Sequence, residues 1–546
     1  MKRKRHSAPR KQATAAAECP GKLSAGIAVA VLLLSVVLLF AQLGHYAFWD
    51  DEAGLAIPAR GVWHTGDTSI VIGHNINAPR QGVLVRDLKD RVNPPLPAYI
   101  MAPFAGYSGT SSLLPRLPFA VCGLMCIGLI LWWLLRERAT TVTWILMALA
   151  ILGNVSFFLY FRQARYYGIT LLCSVAIAYT YLHWNGSRKG LLGMSLLLLA
   201  VLSSHYMTFA ALAGAMAVDY LLWQRKVRKL SLMDWLVLLA PLVVLGSIVV
   251  VTWNPLLSGI TKQAAENNFA DRLTLFWWNL RDLNRGEFAV GILLLLAPML
   301  YLSERKNPYL LRGTVCIGVY CFVMAMVSPQ PVNQTLISDV RYLIPLIPLS
   351  MALAVAVIGI LTRKAPVWVA IAFGLVAFWT NLLNGGPLFP EGFRSTLKNY
   401  AGELLDPPSD PYTVAAKWIN DNVSEDESIW VLPDYMNYPL MYHAPKAMYA
   451  WQLKWPPEPQ FKDLPAIHFQ GRVPPDYIIA FGPVVQQVRQ LIAGWQNSGY
   501  QQIATIDCFW HDEFRPELFW RSFKTRTGYN PDTDIIHIFK RKSGTN

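Results

Sequence analysis

Apolar runs of about twenty residues recur along the chain up to residue 383, with short polar segments between them. A run of this length, folded as an α-helix, crosses the roughly 30 Å hydrocarbon core of a bilayer. The run at 190–223 is too long for one crossing, and its polar centre "SSHYMT" divides it into two spans with a turn at His205. The pattern predicts eleven spans, at about residues 24–44, 114–135, 140–160, 166–184, 190–223 (two spans), 234–253, 288–302, 314–328, 342–361 and 366–383.

The basic residues give these spans an orientation. The N-terminal segment "MKRKRHSAPRK" is strongly basic, and every even-numbered span ends beside basic residues, such as "RER", "SRK" and "TRK". Lys and Arg are enriched on the cytoplasmic side of membrane proteins. The pattern therefore predicts a cytoplasmic N-terminus and, after an odd number of spans, an extracytoplasmic C-terminus.

The composition agrees with a membrane protein and narrows its partners. Only 15% of the residues are charged and 54% are hydrophobic, whereas soluble domains carry about 25% charged residues. The net charge of +14 is typical of nucleic-acid binding, but the basic residues lie beside the apolar runs, so membrane lipids and no nucleic acid are the predicted partners. The seven cysteines show no Cys-x-x-Cys or Cys/His spacing, which predicts neither a disulfide framework nor a zinc site.

Three parts are predicted along the chain: a basic cytoplasmic tail at 1–23, a membrane domain at 24–384 with a first extracytoplasmic loop at 48–113, and an extracytoplasmic domain at 385–546. In the last part, Pro- and Gly-rich turns separate helical segments ("YTVAAKWINDNV", "VVQQVRQLIAGWQ") from strand-like segments ("SIWVLP", "DYIIAFG", "QQIATIDCFW", "DIIHIFKR"). Strands that alternate with helices indicate a small α/β domain. The predicted fold class is an α-helical polytopic membrane protein of about eleven spans, within a range of 11–13, with a C-terminal extracytoplasmic α/β domain.

Three consecutive acids, Asp50, Asp51 and Glu52, follow the first span in "HYAFWDDEAGLAIPARGVWHTGD". Acids are disfavoured at a helix C-terminus, so one interpretation is that they begin a second, interfacial helix, whose N-terminus favours them. The other is a site for a negatively charged lipid headgroup, because the same loop is unusually basic for an extracytoplasmic one. Its basic residues are Arg60, Arg80, Arg86, Lys89 and Arg91.

Further arginines and tyrosines stand at predicted extracytoplasmic helix ends. The segment "YFRQARYYG" contains Arg162, Arg165 and Tyr166, and "SDVRYLIP" contains Arg341 and Tyr342. Arg has a planar fork that binds phosphate in a bidentate manner. The alternative is the ordinary placement of Arg and Tyr at a membrane interface.

Taken in order, these motifs resemble those of the C-type membrane glycosyltransferases that use polyprenyl-phosphate sugars. The resemblance is to the bacterial branch with protein O-mannosyltransferases and lipid A aminoarabinose transferases, and it covers residues 25–385. Two positions depart from it: Asn93 stands where many relatives have a basic residue, and "RQARYY" lacks a second acid that many carry. The matching segments are "DEAGLAIPARGVWHTGD", "NPPLPAY", "RLP", "ARYYG", the His205–Tyr206 pair and "RYLIPLIP".

The resemblance implies an inverting transfer of a sugar from a polyprenyl-phosphate carrier to a glycolipid, polysaccharide or protein acceptor outside a bacterial inner membrane. Asp51 is then the general base, and Glu52 and Asp50 orient it or hold a divalent cation. No other cofactor is implied, and no metal ligands are assigned. The implied substrate-binding residues are Arg60, Asn93, Arg162, Arg165, Tyr166, His205, Tyr206, Arg341 and Tyr342.

Three other functions fit the same pattern of spans. A lipid or sugar transporter or flippase is one, although such proteins typically contain paired broken helices or charges at mid-membrane depth. No mid-membrane charge pair stands out in this sequence. A polysaccharide polymerase or ligase would use a diphosphate-linked donor instead. A non-catalytic scaffold would use the extracytoplasmic domain to bind partners and would give the acids and arginines no reason to converge.

Overall fold

A computed structural model of the chain describes residues 22–83, 85–257, 267–286, 290–303, 307–333, 340–383, 396–407, 409–494, 499–508 and 534–542. The predicted cytoplasmic tail lies almost wholly outside these residues. The helices up to residue 383 are α1 (Lys22–Phe40), α2 (Asp50–Thr65), α3 (Leu96–Tyr107), α4 (Leu113–Arg136), α5 (Thr141–Gly153), α6 (Val155–Phe161), α7 (Tyr167–Leu182), α8 (Arg188–Leu202), α9 (Tyr206–Val227), α10 (Leu232–Thr252), α11 (Phe269–Gly286), α12 (Val290–Ser303), α13 (Tyr309–Val327), α14 (Leu346–Leu361) and α15 (Val367–Trp379).

Each of the eleven apolar segments contains helix, which confirms the helical membrane class, but the number of crossings stays a prediction. Within the described residues, five helices are long and apolar enough to cross a membrane, or six if one bent pair counts as a span. The five are α1, α4, α9, α10 and α13, and the bent pair is α5 with α6. The apolar helices α7, α12, α14 and α15 are shorter.

The segment predicted as a span at 140–160 is bent, a feature that the sequence analysis did not predict. The axes of α5 and α6 differ by 59° at Asn154. The Asn154 side chain accepts a hydrogen bond from the Phe157 backbone N–H at 3.0 Å and so caps α6. Asn competes with helical backbone bonds in this way, and here it ends one helix and begins the next.

The first loop, residues 48–113, contains the two helices α2 and α3 and two short hairpins. The acids Asp50, Asp51 and Glu52 form the first turn of α2, as the helix-start interpretation predicts. Helices α2 and α3 pack closely, because the Trp63 ring of α2 occupies the space where a side chain at Gly106 of α3 would lie. The hairpins pair β1 (Val71–Ile72) with β2 (Asn75–Ile76), and β3 (Val85–Arg86) with β4 (Lys89–Asp90).

The C-terminal region is the predicted α/β fold, and we call its described part, from residue 396 to 542, the tail domain. All four predicted strands and both predicted helices are present. The elements are α16 (Thr396–Leu405), α17 (Pro411–Asn422), β5 (Ser428–Leu432), α18 (Asn437–His443), β6 (Met448–Tyr449), β7 (Tyr477–Phe481), α19 (Val485–Gly494), β8 (Tyr500–Asp507) and β9 (Ile535–Arg541). The five strands form one sheet in the order β6-β5-β7-β9-β8, in which β5 is parallel to β6 and β7 while β9 is antiparallel to its two neighbours.

The tail domain packs directly against the first loop. One buried hydrophobic cluster contains residues of α2, α3, α7 and α8 together with Tyr442 of α18 and Ile429 of β5. Two side chains of the tail domain also bind the backbone just before α2. Asp410 accepts from the Ala47 N–H at 3.2 Å, and Nε2 of His443 accepts from the Phe48 N–H at 2.9 Å.

Candidate active site

Asp51 lies between two arginines that come from distant parts of the chain. Its Oδ2 atom is 2.5 Å from Nη1 of Arg341, just before α14, and 3.1 Å from Nη2 of Arg165, just before α7. Nη1 of Arg165 also donates to the backbone oxygen of Asp51 at 2.8 Å. The three side chains are partly buried, and Asp51 has 31% of its surface exposed, so a ligand can reach it.

A stack of three aromatic rings stands beside this ion cluster. The His205 ring lies 4.1 Å from the Tyr166 ring at an angle of 5°, and 5.3 Å from the Tyr342 ring at 18°. Each tyrosine follows one of the two arginines in the sequence. The two Arg-Tyr dipeptides therefore each direct a guanidinium to Asp51 and an aromatic ring to His205.

His205 is held in one neutral form. Its Nδ1 atom accepts the backbone N–H of Thr208 at 3.2 Å and so caps α9, which leaves the ring proton on Nε2. Burial, and then the charges of Arg165 and Arg341, lower the pKa of His205 to about 3. The aromatic stack therefore adds no positive charge to the site near neutral pH.

Glu52 points away from Asp51 into a buried ion pair with Arg116. Its Oε2 is 2.6 Å from Nη2 of Arg116, and its Oε1 accepts from Nε of Arg116 and from the Ala164 N–H, each at 2.8 Å. Both carboxylate oxygens of Glu52 are therefore engaged by Arg116 or by the backbone, and the predicted catalytic role of Glu52 stays a prediction. The other Arg116 bonds go to the backbone oxygens of Leu43, Tyr46 and Ala47, which uses all five guanidinium donors.

Two of the predicted phosphate-binding arginines lie outside the cluster. Arg60 donates to the Gly109 carbonyl and stacks at 4.3 Å over the ring of Tyr442 in the tail domain. It stands nine residues after Asp51, or about 13 Å along the helix axis at 1.5 Å per residue. Arg162 instead caps the end of α1. Its Nη1 donates to the backbone oxygens of Leu38, Leu39 and Ala41 at 2.7–3.1 Å.

Asn93 and Tyr206 reach the edge of the site through a residue that sequence reasoning missed, Asp90. The Asp90 carboxylate accepts from the Asn93 side chain at 2.8 Å and from the backbone N–H groups of Val92 and Asn93. Burial raises the pKa of Asp90 above its usual value, although those hydrogen bonds and the charge of Arg165 act in the opposite direction. Asp90 also interacts electrostatically with Tyr206, whose hydroxyl binds the Trp253 carbonyl. One feature of the sequence could have indicated Asp90: it stands three residues before Asn93-Pro94-Pro95, and Asp, Asn and Pro at such spacing are typical of turns.

Asp50 begins α2 next to Asp51, but the described residues offer no cluster for a metal ion. Among them, no group of three or more His, Cys, Asp or Glu side chains is placed to hold one. The described residues therefore give no ligand set for the divalent cation that Asp50 and Glu52 were expected to hold.

An apolar cavity of about 480 Å³ lies within the helix bundle. Its lining includes Tyr320, whose hydroxyl binds the Tyr342 carbonyl at 3.0 Å, and Glu137, which directly follows α4. Asp51, its two arginines and the three stacked rings are not among the lining residues. The ion pair between Asp219 of α9 and Arg312 of α13, at 2.6 Å, is part of its lining. Asp219 belongs to a predicted span, whereas Arg312 lies just before the span predicted at 314–328. These two residues come from segments that are far apart in the sequence, so their pairing had no local signal.

Comparison with known proteins identifies the fold. No family model matches the chain, and no curated protein matches it by sequence. Crystal structures of ArnT from Cupriavidus metallidurans, a lipid A aminoarabinose transferase, have a similar fold. The apo structure superimposes with a TM-score of 0.52 at 16% identity over 88% of this chain and 96% of ArnT. The structure bound to undecaprenyl phosphate gives 0.52 at 15% identity over 95% and 98%. The C-type glycosyltransferase fold that the motifs predict is thereby confirmed.

Proposed function

We propose that this protein is an inverting glycosyltransferase that moves a sugar from a polyprenyl-phosphate carrier to an acceptor at the extracytoplasmic membrane surface. The observation that carries the proposal is the convergence of Asp51, Arg165 and Arg341 beside the stacked rings of Tyr166, His205 and Tyr342. The similar fold of ArnT, which has been crystallised with undecaprenyl phosphate, supports a lipid of that class as the donor.

The two arginines are suited to the phosphate of the donor. Guanidinium groups form strong, charge-assisted hydrogen bonds with phosphate oxygens. Arg165 and Arg341 each stand before an apolar helix, α7 and α14. In this proposal the prenyl chain of the donor lies along the apolar helices, while its phosphate stays at the arginines.

Asp51 is the general base in this proposal. In the proposed reaction an acceptor hydroxyl attacks the anomeric carbon, its proton passes to the Asp51 carboxylate, and the bond from that carbon to the phosphate oxygen breaks. The phosphate keeps the electron pair, and the single displacement inverts the anomeric carbon. A positioned base of this kind contributes about 10²–10⁴ in rate, and fixed positive charge stabilises the leaving phosphate.

One observation favours a second candidate, a lipid or sugar transporter. The Asp219–Arg312 pair lies between helices that line the cavity, and ionisable residues inside a membrane often mark a transport pathway. Unlike the Asp51 cluster, this pair is nearly closed to solvent, with 4% of the Asp219 side chain exposed. We therefore favour the transferase.

The test is to incubate the purified protein with radiolabelled polyprenyl-phosphate sugars, and in parallel with diphosphate-linked sugars. Transfer or release of sugar from the monophosphate donor supports the proposal, and a preference for the diphosphate donor indicates a polymerase or ligase. Lipid movement across a vesicle bilayer without bond cleavage indicates a transporter. Asp51→Asn should lower the rate of transfer by about 10²–10⁴-fold; near-normal turnover would remove Asp51 as the base.

A further inference from the structure

The arginines that would bind the donor phosphate are already bound to Asp51. Nη1 of Arg165 donates to the backbone oxygen of Asp51 at 2.8 Å, and its Nη2 forms an ion pair with the Asp51 carboxylate at 3.1 Å. Arg341 donates to the same carboxylate oxygen, Oδ2, at 2.5 Å. The carboxylate and a phosphate are both anions, so a phosphate at these arginines competes with the carboxylate for the same two positive charges.

We propose that Asp51 and the lipid phosphate compete for Arg165 and Arg341, so that donor binding uncovers the base. This inference rests on the proposed function and adds an order of events to it. In the free protein the two guanidiniums neutralise the carboxylate and make it a weak proton acceptor, because an anion next to two cations is stabilised in its charged form. Once phosphate takes the arginines, the carboxylate is free to accept the proton of the acceptor hydroxyl.

The charges of the reaction agree with such an exchange. The glycosyl phosphate donor is a diester with one negative charge, and the polyprenyl phosphate product is a monoester with a charge of about −1.5 to −2 near pH 7. Asp51 changes in the opposite direction, from −1 to neutral, as it takes the acceptor proton. At each stage the two guanidiniums can bind whichever group carries more negative charge, and no charge is created or lost.

The same exchange promotes product release. After transfer, Asp51 is protonated and no longer attracts the arginines, so they bind the phosphate product. When Asp51 loses its proton to water, the carboxylate competes again and weakens the hold on the phosphate. A protein without this carboxylate should therefore bind polyprenyl phosphate more tightly than the wild type does.

The experiment measures the affinity of purified wild type and Asp51→Asn for undecaprenyl phosphate in one detergent, by intrinsic tryptophan fluorescence, with undecaprenol as the uncharged reference. We expect about tenfold tighter phosphate binding by Asp51→Asn, the size of one net hydrogen bond to a charged group. Undecaprenol affinity should not change. Asp51→Ser provides a second removal of the carboxylate, and thermal unfolding identifies a variant that has lost its fold.

Asp67→Asn is the matched control. Asp67 lies in the same loop and is also paired with two cations, Lys89 at 3.0 Å and Arg91 at 2.6 Å, but it does not contact the cluster around Asp51. An equal gain in this variant would show a general effect of net charge and would overturn the inference. Equal or weaker phosphate binding by Asp51→Asn and Asp51→Ser would also overturn it, even if transfer activity is lost. A wild type that does not distinguish the phosphate from undecaprenol would instead contradict the proposed function.

Discussion

The Glu52–Arg116 ion pair fixes the distance between the proposed base and one of its arginines. Glu52 directly follows Asp51, and its Oε1 binds the N–H of Ala164, the residue directly before Arg165. The pair is almost closed to solvent, with side-chain exposures of 1% and 8%. Replacing Glu52 with Gln keeps the shape of the side chain but removes its charge. It also places an amide NH₂ where the carboxylate accepts from Arg116.

The magnitude follows from the burial of the pair. Removing one partner of a buried ion pair costs about 3–5 kcal/mol, because the remaining charge stays in a low-dielectric site. In Glu52→Gln the carbonyl oxygen can still accept from Ala164, and Arg116 keeps three bonds to backbone oxygens. We therefore expect a loss near the lower limit, about 3 kcal/mol of unfolding free energy, and weaker binding of the lipid phosphate as Arg165 shifts.

The assay combines unfolding in detergent with phosphate binding and transfer rate. Glu425→Gln is the control, because this carboxylate is exposed in the tail domain, and surface changes are usually within about 0.5 kcal/mol. The double variant Glu52→Gln/Arg116→Met removes the unpaired charge and should recover part of the stability. If Glu52→Gln kept wild-type stability and phosphate affinity while losing transfer, Glu52 would act in the chemistry and the positioning argument would be wrong.

Three further predictions use other parts of the structure. Asp219→Asn leaves Arg312 unpaired in the helix bundle and should cost about 3 kcal/mol in an unfolding assay, whereas the phosphate affinity should not change. His443 accepts from Phe48 through Nε2 and donates to the Thr110 carbonyl through Nδ1, and burial lowers its pKa to about 4. Its contribution to stability is present above its ordinary pKa of about 6.5 and should be lost as the pH falls from there toward about 4, because only the unfolded chain binds the proton in that interval. Unfolding of His443→Gln should therefore depend less on pH than that of the wild type. The C-terminus is predicted to be extracytoplasmic, so a phosphatase that is active only outside the cytoplasm should be active when it is fused there. Activity of a cytoplasmic reporter at the same position would contradict the predicted topology.

The elements were predictable where the signal is local. Each apolar run became helix because its length and lack of charge favour a membrane span, and the four strands of the tail domain followed from short β-branched segments between turns. The bend at Asn154 was missed because the flanking residues are apolar on both sides and one Asn does not interrupt the pattern. The two interpretations of the acids were not exclusive, since Asp51 lies in the first turn of α2 and also binds two arginines.

The site was less predictable, because residues of the same type at similar helix ends have different partners. Arg162 and Arg165 are three residues apart, yet the first caps α1 and the second binds Asp51. Arg60 belongs to the same motif as Asp51 but stacks on Tyr442, which belongs to the tail domain. A sequence identifies an arginine as able to bind an anion, while tertiary packing decides which anion or carbonyl it meets.

The backbone before Asp51 is held from both sides, and this gives the tail domain a part in the geometry of the site. Arg116 binds the carbonyl oxygens of the connection between α1 and α2, and Asp410 and His443 of the tail domain bind its N–H groups at Ala47 and Phe48. Irregular backbone in a partly buried place needs such partners for its polar groups. Because the exchange of arginines between Asp51 and phosphate requires the carboxylate to stay in place while the guanidiniums move, a rigid connection at this point favours the exchange over a collapse of the site.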